Sequence, residues 1–385
     1  MTIGIDANWL IYENAGIGKY SYNLILEILK NDHQNRYILM ANFIRHFRKR
    51  KQILNELVKK SGNKNVSIKI SCLPSAWREW LSNTKFPQKL LTRQQIDLYF
   101  STYISGIARN GFFNQVVVIY DLVFVHFPEH AGKKLSDYYL MRTKNALDNC
   151  QQVIAISQST KKDLVKYFNI DQSRVTIAYP GVDHNLFHQD LKGKQNLSQK
   201  YRINKPYILS VGTLEPRKNL ETLIEAFEKL PEIIQQKHQL VLVGKNGWNN
   251  QNLKFKIKNL KLNKKIVETG YVPDYDLPFL YSNAEVFVYP SLYEGFGMPP
   301  LEAMACGCPV IVSNNSSFPE VVGNAGIKVK AKDISQIAKE IERVLKNNKL
   351  KKELILKGID QAKKFNWSTS AKNVIKVFEK TGLDK

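Results

Sequence analysis

Short apolar runs alternate with amphipathic helical segments along most of the 385-residue chain. Strands that alternate with helices are typical of repeated βαβ units, which build a mostly parallel sheet. In the first half the pattern predicts helices at 16–29, 133–149 and 159–168 and strands at 3–5, 37–40, 66–70, 98–100, 116–119, 153–156 and 175–177. The first half of the chain is therefore expected to fold as an α/β domain.

The same alternation starts again at Tyr207, after a polar stretch that has no steady period and ends at Pro206. Such a stretch is typical of a linker. The pattern then predicts a helix carrying Glu302, further helices at 219–229, 252–260, 274–282 and 334–347, and strands at 207–212, 239–243, 266–269, 284–289 and 309–313. One hydrophobic core rarely supports so long a chain, so two domains are expected. We place the first domain at 1–185, the linker at 186–206, the second domain at 207–363 and a last helix in 364–385.

The composition excludes several classes of protein. Hydrophobic residues at 43% and charged residues at 24% describe an ordinary globular chain. No apolar run approaches the roughly 20 residues that span a bilayer, and the first residues resemble a strand rather than a signal peptide. Four scattered cysteines are too few for a disulfide framework or a zinc site. We expect a cytoplasmic protein that needs no metal or other cofactor.

The net charge of +23 is unusual and indicates an acidic partner. The densest basic cluster runs from Arg45 to Lys60, with apolar residues interspersed at helical spacing. A basic amphipathic helix of this kind can lie on an anionic membrane, and Trp77 and Trp80 would add interfacial anchors. The alternative is a solvated, lysine-rich helix. Nucleic acid is not expected, because no RNA-recognition, OB, helix-turn-helix or zinc-finger signature is present.

The segment from Ser291 to Cys308 carries the most specific chemical signal. Glu294 and Glu302 lie eight positions apart, on either side of a glycine-containing turn and a helix start. The residues between them that we expect to contact a ligand are Gly295, Phe296, Gly297 and Met298. Glycine lets backbone N–H groups approach a ligand closely, and a helix N-terminus favours phosphate. Because carboxylates accept hydrogen bonds from paired hydroxyls, the segment suits a nucleotide sugar.

Two further segments are candidates for binding phosphate. Arg217 and Lys218 follow a predicted strand and turn, where a guanidinium and an ammonium can neutralise a diphosphate. Gly16 and Gly18 lie between the first strand and the first helix, and such a loop presents amides to an anion. The Gly-x-Gly pair alone is weak evidence, since an ordinary tight turn has the same composition.

These segments, in this order, resemble the retaining glycosyltransferases of family 4. The pair Glu294 and Glu302 is similar to the Glu-x7-Glu motif of that family. Other matching segments are Gly-Ile-Gly-Lys at 16–19, Ile-Ala-Ile-Ser-Gln-Ser at 154–159, Tyr-Pro-Gly-Val-Asp at 179–183, Val-Gly-Thr-Leu-Glu-Pro-Arg-Lys-Asn at 211–219 and Phe-Asn-Trp at 365–367. The resemblance covers nearly the whole chain. It implies the GT-B architecture, in which two Rossmann-like domains face each other across a cleft and the last helix crosses back to the N-terminal domain.

The resemblance also implies roles for individual residues. Arg217 and Lys218 would stabilise the leaving nucleoside diphosphate without a metal ion, and Gly16 and Gly18 would close on the diphosphate and sugar. Glu302 would bind the ribose hydroxyls. The other implied contacts are Glu294 with the donor sugar, and the backbone of Tyr271 and Val272 with the base.

One position departs from the family pattern. Many members have His-Asp where this chain has Tyr120 and Asp121, and the histidine faces the donor sugar. The phenol of Tyr120 can still donate a hydrogen bond to the substrate, but it does not change charge near neutral pH. Asp121 could bind the acceptor, accept its proton or cap the following turn. His126 is expected to be structural, and Ser159 to cap a helix.

We therefore predict a retaining glycosyltransferase that uses a nucleotide diphosphate sugar, with GDP-mannose as the leading donor. The acceptor would be a hydroxyl of a glycan or a lipid-linked glycan, at the cytoplasmic face of the membrane. The alternatives are a GT-B nucleotide-sugar epimerase, a phosphorylase with pyridoxal phosphate, and a basic lipid- or nucleic-acid-binding protein without catalysis. Epimerases share the architecture but not the Glu-x7-Glu segment.

Overall fold

The structure is a computed structural model that describes residues 1–10, 16–72, 96–104, 114–189, 199–247, 251–260 and 262–383. The chain divides into two compact units. The first unit comprises residues 1–181 and 366–385, and the second comprises residues 182–365. Trp77 and Trp80, which the sequence offered as membrane anchors, lie outside the described residues.

The first unit contains a seven-stranded parallel sheet in the order β3-β2-β1-β4-β5-β6-β7. Its strands are β1 (Thr2–Asp6), β2 (Arg36–Asn42), β3 (Val66–Ser71), β4 (Leu98–Ser101), β5 (Asn114–Ile119), β6 (Gln152–Ala155) and β7 (Val175–Ile177). Its helices are α1 (Gly16–Asn31), α2 (Phe47–Ser61), α3 (Val123–His126), α4 (Pro128–Ala131), α5 (Lys133–Asn149), α6 (Gln158–Phe168) and the last helix, α15 (Trp367–Leu383).

The second unit contains a six-stranded parallel sheet in the order β10-β9-β8-β11-β12-β13. Its strands are β8 (Tyr207–Val211), β9 (Gln239–Val243), β10 (Ile266–Gly270), β11 (Val286–Tyr289), β12 (Val310–Ser313) and β13 (Ile327–Val329). Its helices are α7 (Leu220–Glu228), α8 (Glu232–Lys237), α9 (Gln251–Asn259), α10 (Leu277–Ser282), α11 (Met298–Ala305), α12 (Phe318–Val322), α13 (Ile334–Lys346) and α14 (Asn348–Ala362).

The central strands are short and apolar because helices cover both faces of each sheet. All four residues of β11 and of β12 are buried, as are all five of β9. Such continuous apolar runs are typical of parallel sheets buried on both faces. All carboxyl ends in a parallel sheet lie at one edge, which is where open α/β sheets bind ligands. The loops that follow β8, β9, β10 and β11 therefore meet at one edge of the second sheet.

The predicted linker at 186–206 differs from the structure over its described ends. The buried ring of Phe187 packs edge-on against Tyr281, and the hydroxyl of Tyr201 donates to Asp276 over 2.7 Å. These contacts attach residues on both sides of 190–198 to the second unit, whose first residue is Val182. The sequence did not predict these contacts, because the segment is mostly polar and the few large residues that make the contacts are widely spaced.

Several elements were not predicted, among them the short α8, α12 and β13 and the 15-residue α14. The predicted N-cap of α6, Ser159, was also wrong by two residues. Ser157, not Ser159, is the N-cap, and its Oγ accepts a hydrogen bond from the amide of Thr160 over 3.0 Å. Ser157 precedes the helix and Ser159 is its second residue, and composition alone could not distinguish two serines so close to the helix start.

The basic helix α2 forms as predicted, but most of its apolar residues are not available to a membrane. Ile53, Leu54 and Leu57 are buried within the first unit, where α2 contacts α1 and β3. The apolar side chains that stay exposed are Ile44, at 59%, and Phe47, at 37%. The spacing that predicted an insertion surface was therefore the packing face of the helix.

Candidate active site

Arg217 and Lys218 lie at the carboxyl edge of the second sheet, in a short 3₁₀ turn over Pro216–Lys218. Asn219 ends the turn in a left-handed conformation, with φ of 56°. Its side-chain amide donates to the carbonyls of Pro290 and Ala331, at 3.0 and 2.7 Å. The turn after β8 is thereby fixed to the loop that follows β11.

Glu294 lies in that loop and contacts both basic residues. Its Oε2 is 2.8 Å from Arg217 Nη1, and its Oε1 is 2.5 Å from Lys218 Nζ. Ser291 and Tyr289 also donate their hydroxyls to Oε1, each over 3.0 Å. The structure therefore brings Glu294 into contact with Arg217 and Lys218, which lie more than seventy positions earlier in the chain.

Arg217 has two more partners on the protein. Its Nη2 is 2.6 Å from Glu215 Oε1, and its Nη1 donates to the carbonyl of Tyr293 over 2.7 Å. The local charges are thus two cations and two carboxylates, which balance without a ligand. Lys218 Nζ contacts two acceptors within the described chain, Glu294 and Tyr289, and an ammonium has three N–H donors, so one N–H remains for an anion.

Mutual contact sets the protonation states of this cluster. Burial opposes ionisation of Glu294, but the charges of Arg217 and Lys218 lower its pKa to about 2. Burial likewise opposes the charge on Arg217, but Glu294 and Glu215 raise its pKa. For Lys218 burial is the largest effect and lowers the pKa, with Glu294 acting against it. Near neutral pH, Glu294 is a carboxylate and Arg217 is a cation.

Glu302 lies in helix α11 and is 6% exposed. The hydroxyl of the buried Tyr281 donates to Glu302 Oε2 over 3.0 Å. The helix starts after Gly297, whose φ is 107°, and a Cβ at that glycine would lie 3.0 Å from the ring of Phe318. Glycine is therefore required where the helix begins, as its left-handed conformation and the close ring both demand.

The remaining candidates in this segment differ in exposure. The ring of Phe296 is buried and packs edge-on against Phe365, at 5.4 Å between centroids, so the backbone at this position is what could face a ligand. Met298 is the first residue of α11, and Gly295 lies in the loop before it.

The loops after β8 and β9 approach each other very closely. A Cβ at Gly244 would lie 1.9 Å from the carbonyl oxygen of Gly212, and both glycines have positive φ. Only glycine at position 244 lets the two loops pack in this way.

Next to these loops, Tyr271 is 46% exposed and Val272 is buried. The ammonium of Lys245 lies 4.6 Å from the centre of the Tyr271 ring.

Tyr120, in the first unit, does not have the free donor that the sequence suggested. Its hydroxyl donates to the carbonyl of Thr102 over 2.9 Å and is 2.9 Å from Ser21 Oγ. Because a phenol has one hydrogen to donate, Tyr120 has none left for a sugar. Burial raises the pKa of this phenol above its ordinary value, so it stays neutral.

Asp121 caps the turn that follows β5, since its Oδ1 accepts from the amide of Val123 over 3.1 Å. Nearby, His126 Nε2 lies 2.9 Å from Asp163 Oδ2 and links α3 to α6, as expected for a structural histidine.

Gly16 is the first residue of α1, and Gly18 is buried within its first turn. Residues 11–15, just before the helix, lie outside the described chain. Together with Tyr120 and Asp121, these glycines belong to the first unit.

Sequence reasoning missed Glu215, Tyr281 and Tyr289. Each contacts a predicted site residue, and Tyr289 is the last residue of the strand that leads into the Glu294 loop. For Tyr289, its place at the end of a predicted strand was the only signal that the sequence offered, because no motif identifies a tyrosine at such a position. Across the described residues, no helix is both long enough and apolar enough to cross a membrane.

Two family models match the chain in succession. The model for Glycosyltransferase Family 4 matches residues 15–186, and that for Glycosyl transferases group 1 matches residues 193–361. The chain is 32% identical over 265 residues to O-antigen chain mannosyltransferase B of Escherichia coli, which covers 69% of this chain and 70% of that protein. It is 31% identical to O-antigen chain mannosyltransferase RfbU of Salmonella typhimurium, which covers 57% of this chain and 58% of that protein.

Solved structures share the fold at low identity. Sucrose-phosphate synthase from Thermosynechococcus elongatus has a TM-score of 0.74 at 20% identity, with 100% of both chains covered. Anabaena HepE, solved in complex with UDP-glucose, has a TM-score of 0.74 at 19% identity, with 98% of this chain and 99% of that chain covered. The predicted fold class, two Rossmann-like domains of the GT-B type, is thereby confirmed. The consecutive family matches, and the 32% identity over more than two thirds of both proteins, show that this chain is a glycosyltransferase of family 4, group 1.

Proposed function

We propose that the protein transfers mannose from GDP-mannose to a hydroxyl of a glycan or lipid-linked glycan acceptor, with retention of configuration at the transferred carbon. The observation that carries the proposal is the cluster of the buried Lys218 with the half-buried Arg217 and Glu294, at the carboxyl edge of the second sheet. The choice of mannose is supported by the O-antigen mannosyltransferases among the relatives.

The chemistry requires stabilisation of a departing phosphate. The bond from the sugar carbon to the diphosphate oxygen breaks, and a bond from the acceptor oxygen forms on the same face. The acceptor proton passes to the leaving phosphate oxygen. Lys218 and Arg217 supply positive charge at the diphosphate, so the step is proposed to need no metal ion. Preorganised charge of this kind is usually the largest contribution to catalysis.

The other site residues bind and orient the donor. Glu302 accepts hydrogen bonds from the ribose hydroxyls, and Glu294 orients the sugar hydroxyls while it keeps Lys218 in place. The backbone of Tyr271 and Val272 contacts the base. The amides around Gly295, Phe296, Gly297 and Met298 face the donor.

In the first unit, Gly16 and Gly18 lie at the positive end of helix α1, which suits the donor diphosphate. Tyr120 contributes ring surface rather than a hydrogen bond, because its hydroxyl is already engaged. For Asp121, the turn cap is the role that its hydrogen bond supports.

A peripheral association with the inner face of the plasma membrane is also proposed, through the segment from Arg45 to Lys60. Arg48, Lys49 and Lys51 are exposed at the start of α2, beside the exposed side chains of Ile44 and Phe47. Since the other apolar residues of this helix are buried, attraction to anionic lipid must provide most of the binding.

The experiment is a binding panel of GDP, UDP and ADP, with the thermal shift of the full chain as the measurement. GDP should stabilise the protein most, because at equal concentration the ligand that binds the folded state most tightly raises the unfolding temperature most. Stabilisation by none of the three would overturn the function, and stabilisation by UDP alone would overturn the choice of donor.

Glu302→Ala tests the assignment of the ribose contact. The variant should weaken GDP binding by about tenfold or more, since a ribose contact acts in ground and transition state alike. Glu353→Ala, which removes an exposed glutamate of the same unit, serves as the control and should bind GDP normally. Normal GDP affinity in Glu302→Ala would exclude the contact.

A further inference from the structure

Tyr289 is the last residue of strand β11, and its hydroxyl contacts two charged side chains of the site, Lys218 and Glu294. Lys218 Nζ donates to Tyr289 Oη over 2.8 Å, and Tyr289 donates to Glu294 Oε1 over 3.0 Å. Lys218 also contacts that same oxygen of Glu294 at 2.5 Å. The three side chains come from a turn, a strand and a loop, and they form a closed triangle of hydrogen bonds.

Packing holds the ring of Tyr289 in place. It stacks on Phe287 and meets Phe318 edge-on, with 5.7 Å between ring centroids in both contacts. All three rings are buried. The hydroxyl therefore has a defined position that does not depend on a ligand.

The triangle restricts the direction of the Lys218 ammonium. An ammonium has three N–H donors. Within the described chain, Glu294 and Tyr289 accept from two of them, and Lys218 is only 8% exposed. Because two N–H groups are held by hydrogen bonds, the direction of the third N–H is fixed as well.

We propose that Tyr289 is a positioning residue, whose hydroxyl keeps Lys218 charged and aims its third N–H at the leaving diphosphate. The proposal rests on the proposed function, which makes a nucleoside diphosphate the ligand of Lys218. Nothing in the family motif identifies this residue, which lies five positions before Glu294.

The role has a consequence for pH dependence. The charged or titratable groups that face Lys218 are Glu294, Arg217, Glu215 and Tyr289. Burial already lowers the pKa of Lys218, and Glu294 opposes that effect. An oxygen that accepts a hydrogen bond from the ammonium stabilises the charged form. Removing it should lower the pKa of Lys218 further.

The experiment measures the affinity of the full chain for the best nucleoside diphosphate of the panel, by calorimetry between pH 6 and pH 10. Affinity should fall as Lys218 loses its proton. In Tyr289→Phe, which keeps the ring and its packing, the midpoint of this fall should move by about one unit to lower pH. At pH values below the midpoint, where Lys218 is charged, the affinity of Tyr289→Phe should differ much less from that of the wild type.

Tyr207→Phe is the matched control. Tyr207 is also a buried tyrosine of the second sheet, and its hydroxyl donates to the carbonyl of Leu280 over 2.7 Å, away from the charged cluster. This variant also removes a buried hydroxyl, with one hydrogen bond where Tyr289→Phe removes two, but it should keep the wild-type midpoint. An unchanged midpoint in Tyr289→Phe, or an equal shift in Tyr207→Phe, would overturn the positioning role.

A second variant keeps the test decisive if Tyr289→Phe does not fold. Lys218→Met should abolish the alkaline fall in affinity, because the fall is assigned to Lys218. A midpoint that persists in this variant belongs to another group and overturns the proposal. If the wild type binds no nucleoside diphosphate, the proposed function fails together with this inference. If the wild type binds and the pH midpoint of Tyr289→Phe equals that of the wild type, only this inference is refuted.

Discussion

The buried charges of the site are the main feature at the scale of single residues. Arg217 and Lys218 are adjacent in the chain, but the structure gives them different surroundings. Arg217 contacts Glu215, Glu294 and a backbone carbonyl, whereas Lys218 contacts Glu294 and Tyr289. The two cations should therefore respond differently to substitution.

Lys218→Ala is expected to reduce turnover at least tenfold while the fold stays intact. Removing one preorganised donor at developing charge costs about 2.7 to 4 kcal/mol in comparable sites. Arg217→Ala should reduce turnover at least as much, and should also lower the free energy of unfolding, because the half-buried Glu215 loses its ion pair and Glu294 keeps only Lys218. Steady-state kinetics and chemical denaturation measure the two effects.

The exposed Lys349, replaced by alanine, provides the control for loss of a positive charge. It should change neither measurement. Wild-type turnover in both Arg217→Ala and Lys218→Ala would refute the assignment of the leaving-group charge.

The pH dependence of stability should report the ion pairs of Glu294. The folded protein lowers the pKa of this carboxyl from 4.5 to about 2, so its pairing stabilises the folded state above pH 4.5 and the effect is lost as the pH falls towards 2. Glu294→Gln should therefore be less stable than the wild type at pH 7, and this difference should shrink at pH 3. Urea unfolding at the two pH values measures it, and a difference that is constant with pH would contradict the pairing.

At the scale of elements, the geometry of the site depends on how closely the loops after β8 and β9 approach. The backbones of Gly212 and Gly244 lie against each other. Two backbone hydrogen bonds also join the loops, from the amide of Gly212 to the carbonyl of Val243 and from the amide of Leu214 to the carbonyl of Lys245. The turn with Arg217 and Lys218 follows directly, so a shift of these loops would displace the two cations proposed to bind the diphosphate.

Gly244→Ala should lower the free energy of unfolding by about 2 to 3 kcal/mol and weaken nucleotide binding. The added Cβ would meet the Gly212 carbonyl at 1.9 Å, and the backbone at position 244 has a φ that side chains rarely adopt. Chemical denaturation and calorimetry measure the two changes.

Gly358→Ala is the matched control, because its Cβ would make only an ordinary 3.4 Å contact with Met304 inside a helix. This control should be neutral or more stable by up to about 1 kcal/mol. If Gly244→Ala behaved in the same way, the close approach of the loops would not be required.

At the scale of the whole molecule, the net charge of +23 still needs a partner. One nucleotide sugar cannot balance it. The structure leaves a basic surface on α2 with little exposed apolar area, so salt should strongly affect any membrane binding. Exposed charges are screened over about 10 Å at 0.1 M salt.

Replacing Arg48, Lys49, Arg50 and Lys51 together by glutamine should abolish sedimentation with anionic vesicles and leave nucleotide affinity unchanged. Each basic residue near such a surface contributes about 1 kcal/mol. The control replaces four exposed lysines of the second unit, Lys330, Lys332, Lys349 and Lys352, and removes the same charge. Equal loss in both variants would indicate non-specific attraction, and a wild type that ignores anionic vesicles at low salt would exclude the docking helix.

Much of the fold was predictable because its signals are local along the chain. The alternation of apolar runs and helices located strands such as 239–243 to the residue, and helix 133–149 likewise. The Glu294 to Glu302 segment indicated a glycosyltransferase, since its glycines and prolines restrict the backbone within a few residues and make the segment recognisable. The family and the fold class followed from the order of such segments and were confirmed.

Other features were determined only by the tertiary structure, because they depend on which strands become neighbours. The sheet places β8 beside β11, and this brings Lys218 to within 2.8 Å of Tyr289, 71 positions later in the chain. The hydroxyl of Tyr120 is occupied by Thr102, and the apolar face of α2 is covered by its own unit. A pattern of apolar and polar residues shows that a side chain needs a partner. The identity of that partner depends on contacts between distant segments, and no local pattern in the sequence records them.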